Sequence, residues 1–190
     1  RQGQGAEVAS TRGGRQAHPP IVGKVIYKKL NKKENKLALC SAIAATASKN
    51  LIELRGHKIE GIETFPIIVS NDIESVSKAN DITKILDSLK LTQDVDRLEA
   101  RKVRSGQSRL RGRSKKVGRS VLFVTKDDSN LSKAIGSIPG VEVRKVTDLS
   151  ILDLAPGAHP IRLTVYSKSA IEEIAKIKST HIELMVKTQW

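Results

Sequence analysis

Aromatic side chains are scarce in this chain, with two Phe, two Tyr and one Trp among 190 residues. That scarcity argues against a stacking platform for single strands, which lays bases on exposed rings. It also argues against the four-stranded RNA-recognition sheet, which needs aromatics on its central strands. Cysteine is scarcer still: Cys40 stands alone and cannot form an internal disulfide, so a reducing, cytoplasmic setting is the default expectation. No window approaches the roughly 18 apolar residues of a membrane-spanning helix, so no membrane partner is expected, and no signal-peptide pattern opens the chain. The chain opens instead on Arg1-Gln-Gly-Gln-Gly, without Met, in what reads as the middle of a loop. Further residues are expected upstream.

The most informative absence is local. Between Arg101 and Arg119 there is no Asp or Glu, while nine of the nineteen residues are basic: Arg101, Lys102, Arg104, Arg109, Arg111, Arg113, Lys115, Lys116 and Arg119. Val103, Leu110 and Val117 are its only large apolar side chains, too few and too far apart to form a helical or strand face. Such a segment buries too little apolar surface to offset the entropy of ordering itself, so its order is expected to come from an anionic partner. Arginine forks pair bidentately with phosphate, and Gln107 and Ser108 add neutral hydrogen-bonding groups. Residues 1–30 carry a second excess, net +5, and residues 101–119 carry +9. Together they make up the whole formal charge of +14, and the remainder of the chain sums to zero. The expected molecule is a neutral body with two cationic extensions that bind nucleic acid, structured RNA above all. A merely solvated charge run, the usual fate of short Lys/Glu mixtures, does not fit nineteen residues of one sign.

Residues 1–20 lack hydrophobic periodicity and are rich in Gly, with Arg1, Arg12, Arg15 and His18 before Pro19-Pro20. They read as an extended, coreless arm making a second RNA contact, with a flexible linker as the bland alternative. The globular part is expected over 21–190. Lys32 to Asn50 reads as an Ala-rich helix with Leu37, Cys40, Ala44, Ala47 and Leu51 on one face. Cys40 is expected as a small core residue. Phe65–Val69, Ser120–Thr125, Val141–Val146 and Arg162–Tyr166 read as strands, the second uniformly apolar as a parallel strand covered on both faces should be. Between them lie a helix carrying Ile82, Ile85, Leu86 and Leu89 with Asn80 or Asp81 as cap, and a short helix from Ser129 to Ile135. A last helix is expected behind a Ser169/Glu172 capping box. This alternation predicts an α/β fold, a sandwich of doubly wound type with a mainly parallel sheet.

A fold of that kind invites an enzyme reading, but the motifs are missing. There is no G-x-G-x-x-G between a strand and a helix and no phosphate-binding G-x-x-x-x-G-K-[ST] loop. His18, His57, His159 and His181 lack metal-ligand spacing. Asp127-Asp128 follows a strand, where ligand sites of α/β proteins lie, yet it reads better as the polar approach to a helix cap. No catalytic residue, metal, cofactor or small-molecule substrate is expected.

Several segments, taken in order, carry a resemblance. They are Gly13-Gly14-Arg15-Gln16-Ala17-His18-Pro19-Pro20, the Ala-rich run from Leu39 to Ala47, Arg55-Gly56-His57 and Pro66–Ser70. They continue with Ser105–Ser108, Arg111-Gly112-Arg113, Ser120–Thr125, Leu154–Gly157 and Arg162–Tyr166. From about residue 5 to residue 175 the chain resembles the universal large-subunit ribosomal protein four in its archaeal and eukaryotic form. The resemblance implies a Rossmann-like body without a nucleotide site and a long arm that lines the peptide exit tunnel. Residues 1–20 correspond to the returning half of that arm, and 101–119 to the family's basic segment against large-subunit rRNA. The family's first strand, first helix and outgoing half of the arm have no counterpart here, and the tail after Ala175 matches no family segment. The function implied is that of a structural, rRNA-binding constituent of the cytoplasmic large ribosomal subunit, with rRNA and neighbouring large-subunit proteins as partners. The alternatives are an RNA-modifying enzyme on an α/β fold and a DNA architectural protein.

Overall fold

Three short runs rich in β-branched and apolar residues and one charged edge run form the sheet in the computed structural model, which describes residues 5, 7–116, 118–128 and 130–176. The strands are β1 (Ile67–Val69), β2 (Leu122–Thr125), β3 (Glu142–Lys145) and β4 (Thr164–Ser167). They lie in the order β1-β4-β2-β3 and every pairing is parallel. The last strand is therefore inserted between the first and second, with Val165 opposite both Ile67 and Phe123. The two central strands are buried at every position, which requires cover on both faces of the sheet. Edge strand β1 has Ile68 half exposed. All four expected strands are present, each starting one or two residues later than the apolar run, because Ser120-Val121 and Arg162-Leu163 approach the sheet before pairing within it.

Among the described residues eight α-helical segments surround the sheet: α1 (Lys32–Ala45), α2 (Lys49–Arg55), α3 (Ala79–Ser88), α4 (Thr92–Glu99), α5 (Gln107–Leu110), α6 (Leu131–Ile135), α7 (Ile151–Leu154) and α8 (Lys168–Ile174). The α/β class is as expected. The expected single helix over 32–50 is instead two, α1 and α2, meeting at 95°. Thr46 explains the break. Its Oγ donates to the carbonyl of Ile43 at 2.6 Å and meets Tyr166 Oη at 3.1 Å, so a side chain bonds backward to the last turn while it is held on β4. The break also moves the packing face. Leu39, Ala42, Ile43 and Ala45 lie on the core, whereas Leu37 is 45% exposed and Cys40 is half-buried rather than a core residue.

Caps differ from expectation as well. Helix α3 begins after Lys78, which places Asp81 in its first turn instead of at its cap, and it buries Ile82 and Leu86. Helix α8 is capped by Ser167, whose Oγ accepts from Ala170 N at 3.1 Å, and Ser169 lies inside the helix. Asn130 precedes α6; Ser129, expected in that role, lies outside the described residues.

The chain divides into two compact units, Arg1–Asn31 and Lys32–Trp190. In the first, Thr11 Oγ donates to the carbonyls of Val8 at 2.8 Å and Gly5 at 3.3 Å, and Gly14 N donates to Thr11 O at 3.1 Å. Gly5 and residues 7–14 therefore form a closed turn rather than part of an extended arm, a difference set by a threonine that the glycine-rich composition hid. No helix occurs among its described residues. This unit also runs past Pro19-Pro20, through an exposed apolar stretch that includes Val22, Val25, Ile26 and Tyr27.

Candidate nucleic-acid interface

The basic segment joins α4 to β2, and so enters the sheet at its amino end. It has more local structure than its composition suggested. Val103 and Lys115 form an antiparallel bridge, and Arg104 N donates to Ser114 O at 2.7 Å, closing the segment into a loop. At its tip Gly106 adopts φ 67°, a value that favours glycine, and α5 makes one turn there. Arg113 N closes back on Ser108 O at 2.9 Å. No apolar anchor holds this tip: Leu110 is 79% exposed.

The loop's charged residues divide into two sets. Arg101 and Arg119 hold its base. Arg101 Nε donates to Leu98 O at 2.5 Å and its Nη1 to Lys116 O, while Arg119 pairs with Glu142. Lys102, Arg104, Arg109, Arg111, Arg113, Lys115 and Lys116 meet no carboxylate among the described residues, and all but the half-buried Arg104 are exposed. Gln107 and Ser108 are exposed beside them. In the other unit Arg12, Arg15 and His18 are likewise exposed; Arg1 lies outside the described residues.

A cleft of about 520 Å³ opens beside the base of the loop, lined by Arg55, Arg97, Gly118, Arg119 and His159 with Pro156 and Pro160. Local folding accounts for it. Helix α2 ends at Gly56 with φ 93°, the left-handed turn that glycine supplies at helix ends. Arg55 Nη1 and Nη2 donate to the carbonyls of Pro160 at 2.6 Å and Pro156 at 3.1 Å. Burial, together with the charges of Arg97 and Arg119, lowers the Arg55 pKa. Beneath lies Arg162, fully buried. It donates to the carbonyls of Ser120 (2.5 Å), Gly140 (2.8 Å) and Val121 (3.1 Å) and to Glu142 Oε2 (2.7 Å). Burial, with Arg119 and Arg55 nearby, pushes its pKa down to about 9. Arg162 stands at the start of an apolar strand, which hides its role in the sequence.

Deeper still, Asp94 on α4 gathers four donors: His57 Nδ1 (3.0 Å), Lys58 N (3.0 Å), Arg97 Nε (3.0 Å) and Ser120 Oγ (2.5 Å). Burial alone would raise the Asp94 pKa, but the hydrogen bonds from His57, Ser120 and Arg97 hold it far below the usual carboxylate range. Ser, His and Asp are the residue types of a hydrolytic triad, yet the wiring is different. Ser120 bonds the carboxylate directly, and His57 Nε2 accepts the Leu163 N–H at 3.3 Å. With both imidazole nitrogens engaged and every member buried, there is neither an available base nor an activated nucleophile. The cluster ties α2, α4 and the approaches to β2 and β4 together.

The carboxyl end of the sheet, where α/β proteins bind ligands, is filled by the chain itself. Glu74 Oε1 accepts from Ser167 Oγ at 2.8 Å, Lys126 N at 3.1 Å and Ser169 Oγ. Burial would raise its pKa, but these bonds, led by Ser169 and Ser167, lower it. A carboxylate therefore sits against the ends of β2 and β4 where a nucleotide phosphate would need to lie. Asp127 and Asp128 pair with Lys145 at 3.3 and 3.2 Å.

The sequence pattern of the ribosomal protein L4/L1 family matches residues 1–177. The chain belongs to that family. Curated members with similar sequences are each described as large ribosomal subunit protein uL4. That of Sulfurisphaera tokodaii is 45% identical over 176 residues, covering 92% of this chain and 66% of its own length. Those of Methanococcus aeolicus and Halobacterium salinarum are each 43% identical, covering 92% of this chain and 70% of their own lengths. The chain thus spans about two thirds of the L4/L1 family members it matches.

Proposed function

We propose that this chain is a structural, non-catalytic constituent of the large ribosomal subunit that binds rRNA chiefly through the 101–119 loop. The carrying observation is the set of seven cationic side chains on that loop without a carboxylate partner among the described residues. Each is free to neutralise a phosphate, and phosphate contacts supply most of the sequence-independent affinity for nucleic acid. Arg101 and Arg119 brace the loop's base and add charge from there. Gln107 and Ser108 contact sugar or backbone. Arg1, Arg12, Arg15 and His18 extend the RNA contact along residues 1–20, the part of the arm directed to the peptide exit tunnel, and 21–190 supply the globular part. Family membership supports the ribosomal assignment and its setting in the cytoplasmic ribosome with other large-subunit proteins as neighbours. The RNA-modifying alternative finds no support in geometry: Glu74 fills the usual ligand position, and the Ser120–Asp94–His57 cluster is closed.

Sedimentation tests the proposal. The protein is expected to travel with large subunits and to remain there through a high-salt wash. Release into the supernatant at moderate salt, or migration with small subunits, contradicts it.

A further inference from the structure

We infer that the cleft lined by Arg55, Arg97 and Arg119 is a second RNA-phosphate site, built on the folded body and separate from the loop tip. Charge at this place is unbalanced. Three guanidinium groups, those of Arg55, Arg97 and Arg119, line the cleft, with the fully buried Arg162 nearby. Asp94 is taken by Arg97, and Glu142 is shared by Arg119 and Arg162. Arg55 reaches only main-chain carbonyls. Arg55 therefore brings to a cavity of about 520 Å³ a positive charge with no carboxylate partner among the described residues, and that cavity is large enough for a phosphodiester group and its flanking sugars. The chain holds these like charges together by carbonyl bonds at Arg55 and Arg162 and by the Asp94 and Glu142 pairs, a preorganised cradle that an oxyanion would complete.

The inference rests on the rRNA-binding reading, and continuity is what selects RNA as the source of the anion. Gly118 and Arg119, which line the cleft, are the last residues of the basic segment. A strand of RNA bound along the loop is thereby led to the cleft, whereas an acidic peptide would have to compete with that same RNA. Neither cationic extension supplies Arg55 or Arg97; they come from the otherwise neutral body.

The test uses the whole chain, with in vitro transcribed large-subunit rRNA, inorganic phosphate and polyglutamate as probes. Arginine-selective dicarbonyl labelling, read residue by residue by mass spectrometry, is expected to show rRNA protecting Arg55 and Arg97 severalfold at concentrations where polyglutamate does not. In parallel, Arg55→Gln is expected to flatten the plot of log affinity against log salt by about 0.7 to 0.9, one phosphate's share. Arg55→Lys, which keeps the charge, is expected to retain the slope. Protection by millimolar phosphate but not by rRNA would make this a free-anion site and overturn the inference. So would protection by polyglutamate equal to that by rRNA, or labelling unchanged by any probe. Should Arg55→Gln unfold, the labelling of the unmodified protein decides alone. Replacing Arg109, Arg111 and Arg113 by Gln separates the two readings. If that variant loses affinity while rRNA bound to the unmodified protein leaves the cleft arginines unprotected, only the inference fails; if the unmodified protein binds no rRNA, the underlying reading fails.

Discussion

Removing the Asp94 carboxylate is the perturbation whose consequences follow most fully from the structure. Asp94→Ala leaves the His57 Nδ1–H and the Ser120 hydroxyl buried without their acceptor, while Arg97 and Lys58 N are near enough to solvent to rehydrate. Each orphaned buried donor costs about 1–3 kcal/mol, and breaking a buried ionic cluster typically costs about 3–5 kcal/mol. A loss of about 3–5 kcal/mol is expected in urea unfolding. At about 2–4 °C per kcal/mol for a domain of this size, Tm falls by on the order of 10 °C. Asp94→Asn keeps the shape but turns an amide N–H₂ toward existing donors, and is expected to lose about half as much. The pH dependence supplies a second signature. Because the native Asp94 pKa is depressed, its contribution is complete above the unfolded value of about 3.9 and is lost as pH falls through the lower native value. Asp94→Asn should therefore flatten the stability profile below about pH 4. If Asp94→Ala costs less than about 1 kcal/mol, or Asp94→Asn leaves the acid limb unchanged, the cluster does not tie the domain together.

Three further outcomes are expected. Replacing Arg109, Arg111 and Arg113 together by Gln should lower the slope of log affinity against log salt by about two to three units, because none of the three has a carboxylate partner among the described residues; an unchanged slope would place them in solvent. Arg162→Lys should destabilise by about 3 kcal/mol or more in thermal unfolding, since an ammonium cannot reach three carbonyls and Glu142 at once; a near-native Tm would show those carbonyls satisfied otherwise. Gly140→Ala should destabilise by about 2 kcal/mol or more, because φ there is 76° and a Cβ would meet Leu98 and the Gly118 carbonyl; soluble protein of native Tm would refute the packing described for the loop's base.

The sheet was legible because its central strands obey a simple rule. Runs such as Ser120–Thr125 are apolar throughout, and burial on both faces demands that. Strand order was not legible, since nothing local in Thr164–Ser167 marks it for insertion between β1 and β2. Helix α4 escaped notice because its buried face is Asp94, Val95 and Leu98, and a charged residue in that stripe breaks the apolar pattern. Arg162 and Asp94 run against the rule that charges stay outside; their burial depends on partners twenty or more residues away. The loop's charge could be read from the sequence alone, because nine basic residues fall in nineteen with no carboxylate among them. The cleft could not, since Arg55, Arg97 and Arg119 meet only through the topology. Arg101 and Arg119 carry the same charge as their neighbours, so their bracing role was invisible until the loop was closed.

The proposed RNA contact depends on where the 101–119 loop lies when the protein is at work. Cryo-electron microscopy of large subunits assembled with this chain measures that directly. The expected map shows Arg109, Arg111 and Arg113 within hydrogen-bonding distance of rRNA phosphates, with the loop closed at Val103 and Lys115 as here. A loop facing solvent on the outside of the particle, or packed wholly against another protein, would contradict the central claim.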